Sequence, residues 1–182
     1  MKNHLRLMSN KGYTIIELLA VISILVIVAG IISGIIYSTL RGSSKTKITT
    51  EVTQNGSYAI SVLTNLISSS TSVTKIGGVD IQDCTANPNG ASISLVDIDG
   101  DEKIISCSGN NILSGSASLI NTSQVQIKTN SCKFTCSQKA ADPYAVPIVS
   151  VEFIVEDKST GLFETKSSSL FKTSVSMRNY SP

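Results

Sequence analysis

Residues 14–37 carry a single charge, Glu17, in a run that is otherwise apolar or small and is interrupted only by Ser23, Gly30, Ser33 and Gly34. About 24 such residues cross a bilayer as a helix at roughly 1.5 Å per residue. That segment constrains everything else, because it has to lie in lipid or against other apolar helices. The chain has 182 residues, so removing the run and the short leader before it leaves roughly 140, enough for one small core.

A carboxylate at membrane depth costs about 2.5–3.5 kcal/mol on insertion scales, so it is usually paired and functional. The flanks do not orient the segment, since Lys2, Arg6 and Lys11 precede it and Arg41, Lys45 and Lys47 follow it. A secretory signal peptide would have a shorter apolar core and a small-residue cleavage site after it. A plain single-pass anchor would use Glu17 only as an acid at a helix N-terminus, worth less than about 1 kcal/mol.

The order Lys11-Gly12-Tyr13-Thr14-Ile15-Ile16-Glu17, with a basic leader before it and an apolar run after it, resembles the processing signature of type IV prepilins and type II secretion pseudopilins. The resemblance implies a membrane-embedded peptidase that cuts between Gly12 and Tyr13 and methylates the new amine of Tyr13. It implies a role for Glu17 as well. In a filament core its carboxylate would meet the N-terminal amine of a neighbouring subunit, two charges that are costly apart and far cheaper together. Major pilins often carry a proline about twenty residues into this helix; here Gly30 and Gly34 occupy that region and the first proline is Pro88. That difference favours a minor subunit, and the retained Glu17 separates the chain from the tip-most pseudopilins.

Two further stretches resemble minor pseudopilins of the PulJ/PilW group. They are Gln54-Asn55-Gly56-Ser57-Tyr58-Ala59 and the ending Phe171-Lys172-Thr173-Ser174-Val175-Ser176-Met177-Arg178-Asn179. The fold class implied is α+β and pilin-like: a leader (1–12), a transmembrane and assembly helix (13–37), an amphipathic arm (38–72) and a β-rich antiparallel domain (73–182). The arm is legible from the residues themselves, since Ile48, Val52, Ala59, Val62/Leu63 and Leu66/Ile67 form one stripe at helical spacing. Asn55 is a polar intruder in that stripe, and Gly56 is a weak point of the helix.

Beyond residue 73 the pattern is of short strands. Ala91–Val96 and Lys103–Cys107 alternate around Asp99-Gly100, a hairpin signal. Further strands are expected at Ile112–Leu113, Gln124–Thr129, Val146–Glu156, Phe163–Ser168 and Leu170–Met177, with Ser159-Thr160-Gly161 as a turn. Val149, Val151, Phe153 and Val155 make one strongly apolar face, which Phe171, Val175 and Met177 are expected to share.

Cys84, Cys107, Cys132 and Cys136 all follow the apolar run, an even count that reads as up to two disulfides with three connectivities. Proximity in sequence favours Cys84–Cys107 and Cys132–Cys136. Zinc is the weaker alternative, because the only histidine is His4 in the leader. Asp97, Asp99 and Asp101 superficially resemble a calcium loop but lack its remaining ligand positions, so a solvated acidic turn is the favoured reading and no cofactor is expected.

The formal charge is +2, and Lys2, Arg6 and Lys11 precede the expected cut, which leaves −1 on the mature side chains. Without a basic patch, nucleic acid is not an expected partner. With no histidine after His4, no phosphate loop and no cysteine beside a base, an enzyme is not expected either. The expected partners are prepilin peptidase, other pilin or pseudopilin subunits, the assembly platform protein and its ATPase, and membrane lipid. The expected location is the inner or cytoplasmic membrane, crossed once, with the C-terminal domain exported to periplasm or cell surface. The rival readings are a membrane-anchored surface protein without an assembly role, and a tip adhesin or DNA-uptake module.

Overall fold

The computed structural model describes residues 12–139, 145–158 and 166–180. The chain divides into two compact units, Met1–Ser43 and Ser44–Pro182. Helix α1 spans Ile15–Ser69. The described strands are β1 (Ser72–Ile76), β2 (Val79–Asp80), β3 (Asn89–Gly90), β4 (Ser92–Val96), β5 (Glu102–Ser108), β6 (Asn111–Ser114), β7 (Ala117–Ser118), β8 (Val125–Ile127), β9 (Lys133–Ser137), β10 (Ile148–Asp157) and β11 (Ser168–Ser176). They form two antiparallel sheets, ordered β2-β1-β4-β5-β6-β7 and β11-β10-β9-β3, with β8 also paired to β10. The class is α+β and pilin-like, an N-terminal helix packed on antiparallel sheets.

Within the second unit, α1 buries Val52, Gly56, Ala59, Leu63 and Ile67. This is the expected stripe, with Gly56 as a full member rather than a weak point. The aromatic ring of Phe171 lies where a side chain at position 56 would be: a Cβ built there would sit 2.2 Å from two ring carbons. Glycine lets the ring reach the helix backbone, and the ring stacks in turn on buried Phe153, centroids 5.7 Å apart.

Asn55 is accounted for by the same packing. Its amide Nδ2 donates to the Glu51 carbonyl at 2.9 Å, and its Oδ1 accepts the Asn121 backbone N–H at 2.7 Å. A polar residue at the edge of the stripe thus satisfies a loop amide that the helix would otherwise cover. The far end of α1 is closed by the segment that follows the last strand. Arg178 N–H donates to the Ser68 carbonyl at 3.0 Å and the Asn179 amide to the Ser69 carbonyl at 3.3 Å, which supplies partners for carbonyls at the end of the helix.

The β4–β5 hairpin forms as expected. Gly100 takes φ +86° and donates to the Asp97 carbonyl at 3.0 Å, a conformation that glycine adopts without strain. Strand β10 buries Val149, Val151, Phe153 and Val155 completely, and Val175 and Met177 are also buried. The strand expected at Leu170–Met177 is β11, paired along all of its nine residues from Ser168↔Glu156 to Ser176↔Ile148, whereas of the strand expected at Phe163–Ser168 residues 166 and 167 are not extended into a strand and Ser168 opens β11. Residues 163–165 and the expected turn at 159–161 lie outside the described residues.

The cysteines do pair, but not as sequence proximity favoured. The bonds are Cys84–Cys136, with Cα atoms 5.3 Å apart, and Cys107–Cys132, at 6.2 Å. The reason is strand order. Cys136 N–H donates to the Pro88 carbonyl and Gln138 N–H to the Cys84 carbonyl, so the segment before β3 lies alongside β9. Cys132, just before β9, meets Cys107 on β5 and links the two sheets. Long-range pairing, which spacing cannot reveal, decides the connectivity.

Candidate processing and assembly segment

Tyr13 is 84% exposed and Gly12 has no atom within 4 Å of where its Cβ would be. Thr14 caps the helix. Its carbonyl accepts from Glu17 and Leu18 N–H at 3.1 and 3.2 Å, and its Oγ1 accepts from Glu17 N–H at 3.3 Å. Sequence reasoning passed over this cap, although Thr14-x-x-Glu17 carries the S/T-x-x-E signature of a capping box. Its consequence is positional: Glu17 is fixed in the first helical turn, where its backbone N–H is satisfied and its side chain is exposed. A carboxylate there is favoured by the positive end of the helix dipole.

From Ile15 the apolar side chains project outward. Ile15, Ile16, Leu18 and Leu19 are all more than half exposed, as are Ile24, Leu25, Val26 and Ile27. The most apolar window of α1 has a mean hydropathy of 3.0 and none of it is buried. An unburied apolar surface of this extent requires lipid or other helices around it. The polar interruptions are satisfied within the helix: the Ser23, Ser33 and Thr39 hydroxyls donate to the carbonyls of Leu19, Ala29 and Ile35, each at 2.8 Å. Such back-bonding hides a hydroxyl from hydrocarbon. Gly30 and Gly34 have open space where a side chain would be.

The acidic turn is organised by a local ion pair. Asp97 and Lys103 are hydrogen-bonded across the β4–β5 hairpin. That bond, and then the Ile98 N–H at 2.6 Å, holds the Asp97 carboxyl below the usual carboxylate range and raises Lys103. Asp99 and Asp101 point into solvent. No group of three or more metal-ligating side chains occurs among the described residues.

A bare apolar helix with a capped acidic first turn, long and apolar enough to cross a membrane, and a two-sheet domain packed on the helix's second half make a pilin-like α+β arrangement. Residues 7–33 match the family model of the prokaryotic N-terminal methylation motif, a stretch that takes in the second half of the leader, Gly12, Tyr13, Glu17 and most of the apolar run. This match supports a type IV pilin-like substrate of prepilin peptidase. No curated protein and no solved structure matches the chain.

Proposed function

We infer that the protein is a minor pilin or pseudopilin, cut between Gly12 and Tyr13, methylated at Tyr13 and built into, or at the tip of, a type IV pilus or type II secretion pseudopilus. It works as a structural subunit and not as a catalyst. The observation that carries this reading is the juxtaposition, in the first five residues after the proposed cut, of the new amine, the Thr14 cap and Glu17, followed by an apolar helix with no partner of its own. In a bundle of such helices the Glu17 carboxylate of one subunit meets the Tyr13 amine of the next. That pairing sets axial register more than it adds stability. Membership of the PulJ/PilW group rests on the Gln54–Ala59 and Phe171–Asn179 stretches. The resemblance places such a subunit with other minor subunits in a complex that primes filament growth.

The test is incorporation. Filaments sheared from cells carry the wild-type chain, whereas Glu17→Ala is processed normally and is absent from them. Glu17→Ala found in filaments at the wild-type level would overturn the register role.

A further inference from the structure

Most strands at the sheet margins are short: β2, β3 and β7 have two residues and β8 three. Strand β11 is different. It has nine residues, pairs with β10 without a register shift, and has no strand on its other side among the described residues. Short strands, proline, bulges and several charges are the usual protections of a sheet edge; β11 has no proline and no bulge, and its one charge is Lys172.

The direction of its backbone groups follows from β10. Ile154 N–H donates to Ser131 Oγ at 3.1 Å and the Ile154 carbonyl accepts from Lys128 N–H at 2.9 Å, so this residue's amide and carbonyl face away from β11. Backbone groups alternate along a strand. Val149, Val151, Phe153 and Val155 therefore bond β11 through Val175, Thr173, Phe171 and Ser169. Leu170, Lys172 and Ser174 are left with N–H and carbonyl groups on the open side.

The side chains of those three residues lie in rows that run across the sheet. Lys133, Glu152 and Lys172 are in register, with Lys172 Nζ 3.1 Å from Glu152 Oε2. Thr135, Ser150 and Ser174 form the next row, with the two serine hydroxyls 2.8 Å apart. The first row alternates positive, negative, positive, and no described residue occupies its next position.

We propose that the open side of β11 takes up an extended strand of another protein chain, one that sets an acidic residue beside Lys172 and a hydroxyl residue beside Ser174. Main-chain bonds to Leu170, Lys172 and Ser174 supply the affinity, and the two rows supply the choice of partner. A second copy of this chain does not complete the charge row through β11, which contains no carboxylate. The inference stands on β11 alone and does not depend on processing at Gly12 or on filament assembly.

The probe is an end-blocked peptide of alternating Thr and Val with one central Glu, which reads the same in either direction, compared with the same peptide bearing a central Lys. Amide exchange is followed by NMR on the full chain in detergent micelles. The Glu peptide is expected to slow exchange at Leu170, Lys172 and Ser174 by at least about tenfold and to bind about two- to five-fold tighter than the Lys peptide. Lys172→Gln should erase that preference while binding persists. Ser174→Pro, which removes an outward N–H and the hydroxyl contact with Ser150 but no main-chain bond to β10, should abolish binding. Equal binding of the two peptides, or no protection by either, overturns the proposal. So does protection that is present without peptide and grows with protein concentration, which would make a second copy the occupant.

Discussion

Replacing Gly56 by alanine sets two effects of opposite sign against each other. Alanine is favoured over glycine within a helix by about 1 kcal/mol. The added methyl, however, would lie 2.2 Å from Phe171 Cε2 and Cζ and 2.6 Å from Cδ2, well inside contact distance. The ring cannot simply turn away, because it stacks on Phe153, whose side chain is fully buried between β10 and the core. Overpacking of this kind costs about 1–3 kcal/mol, so the net change runs from about zero to a loss of about 2 kcal/mol. For a folded unit of this size each kcal/mol lowers Tm by about 3–5 °C. The assay is urea and thermal unfolding of the full chain in detergent, read by near-UV circular dichroism. Shortening the partner with Phe171→Leu should relieve the clash, giving a favourable coupling of about 1 kcal/mol in a double-mutant cycle. A Gly56→Ala protein that gains the propensity term in full would show that Phe171 does not hold the helix backbone this closely.

Asn55→Leu fills the helical stripe with an apolar side chain but leaves the Asn121 N–H without its acceptor; a loss of about 1–2 kcal/mol is expected, and a gain in stability would contradict the role given to Asn55. Non-reducing peptide mapping should recover Cys84 linked to Cys136 and Cys107 linked to Cys132, and replacing either pair by serine should cost about 3–4 kcal/mol, as closing loops of this length implies. The lowered Asp97 carboxyl contributes stability that is present above its unfolded value near pH 4 and fades as pH falls through the folded value, so Asp97→Asn should flatten the acid side of the stability profile. Because Asp97 is committed to Lys103, neither calcium nor a chelator should move Tm; a rise with calcium that Asp97→Asn removes would refute this.

What the sequence made legible was local. The β4–β5 hairpin rests on alternation around Asp99-Gly100, β10 on a period of two, and the arm of α1 on steps of three and four, all of them properties of a single segment. The disulfide connectivity was misjudged because it depends on which segments become neighbours, and the pairing of β3 with β9 joins residues far apart in sequence. Strands β2, β3 and β7 are too short to show any period, and the alternation of β9 is confined to five residues, although Asn130 turns the chain just before it. Gly56 and Asn55 were read from helix propensity and polarity alone, whereas their roles are set by Phe171 and Asn121 from the β-domain. In the processing segment Gly12, Tyr13 and Glu17 were legible as a pattern. The Thr14 cap is equally present in the Thr14-x-x-Glu17 spacing.

Intact mass and N-terminal sequencing of the chain co-expressed with a prepilin peptidase test the central claim most directly. The expected product begins at Tyr13 and carries one N-terminal methyl group. A chain that still begins at Met1 in the presence of active peptidase would contradict the claim and leave a membrane anchor with no place in a filament.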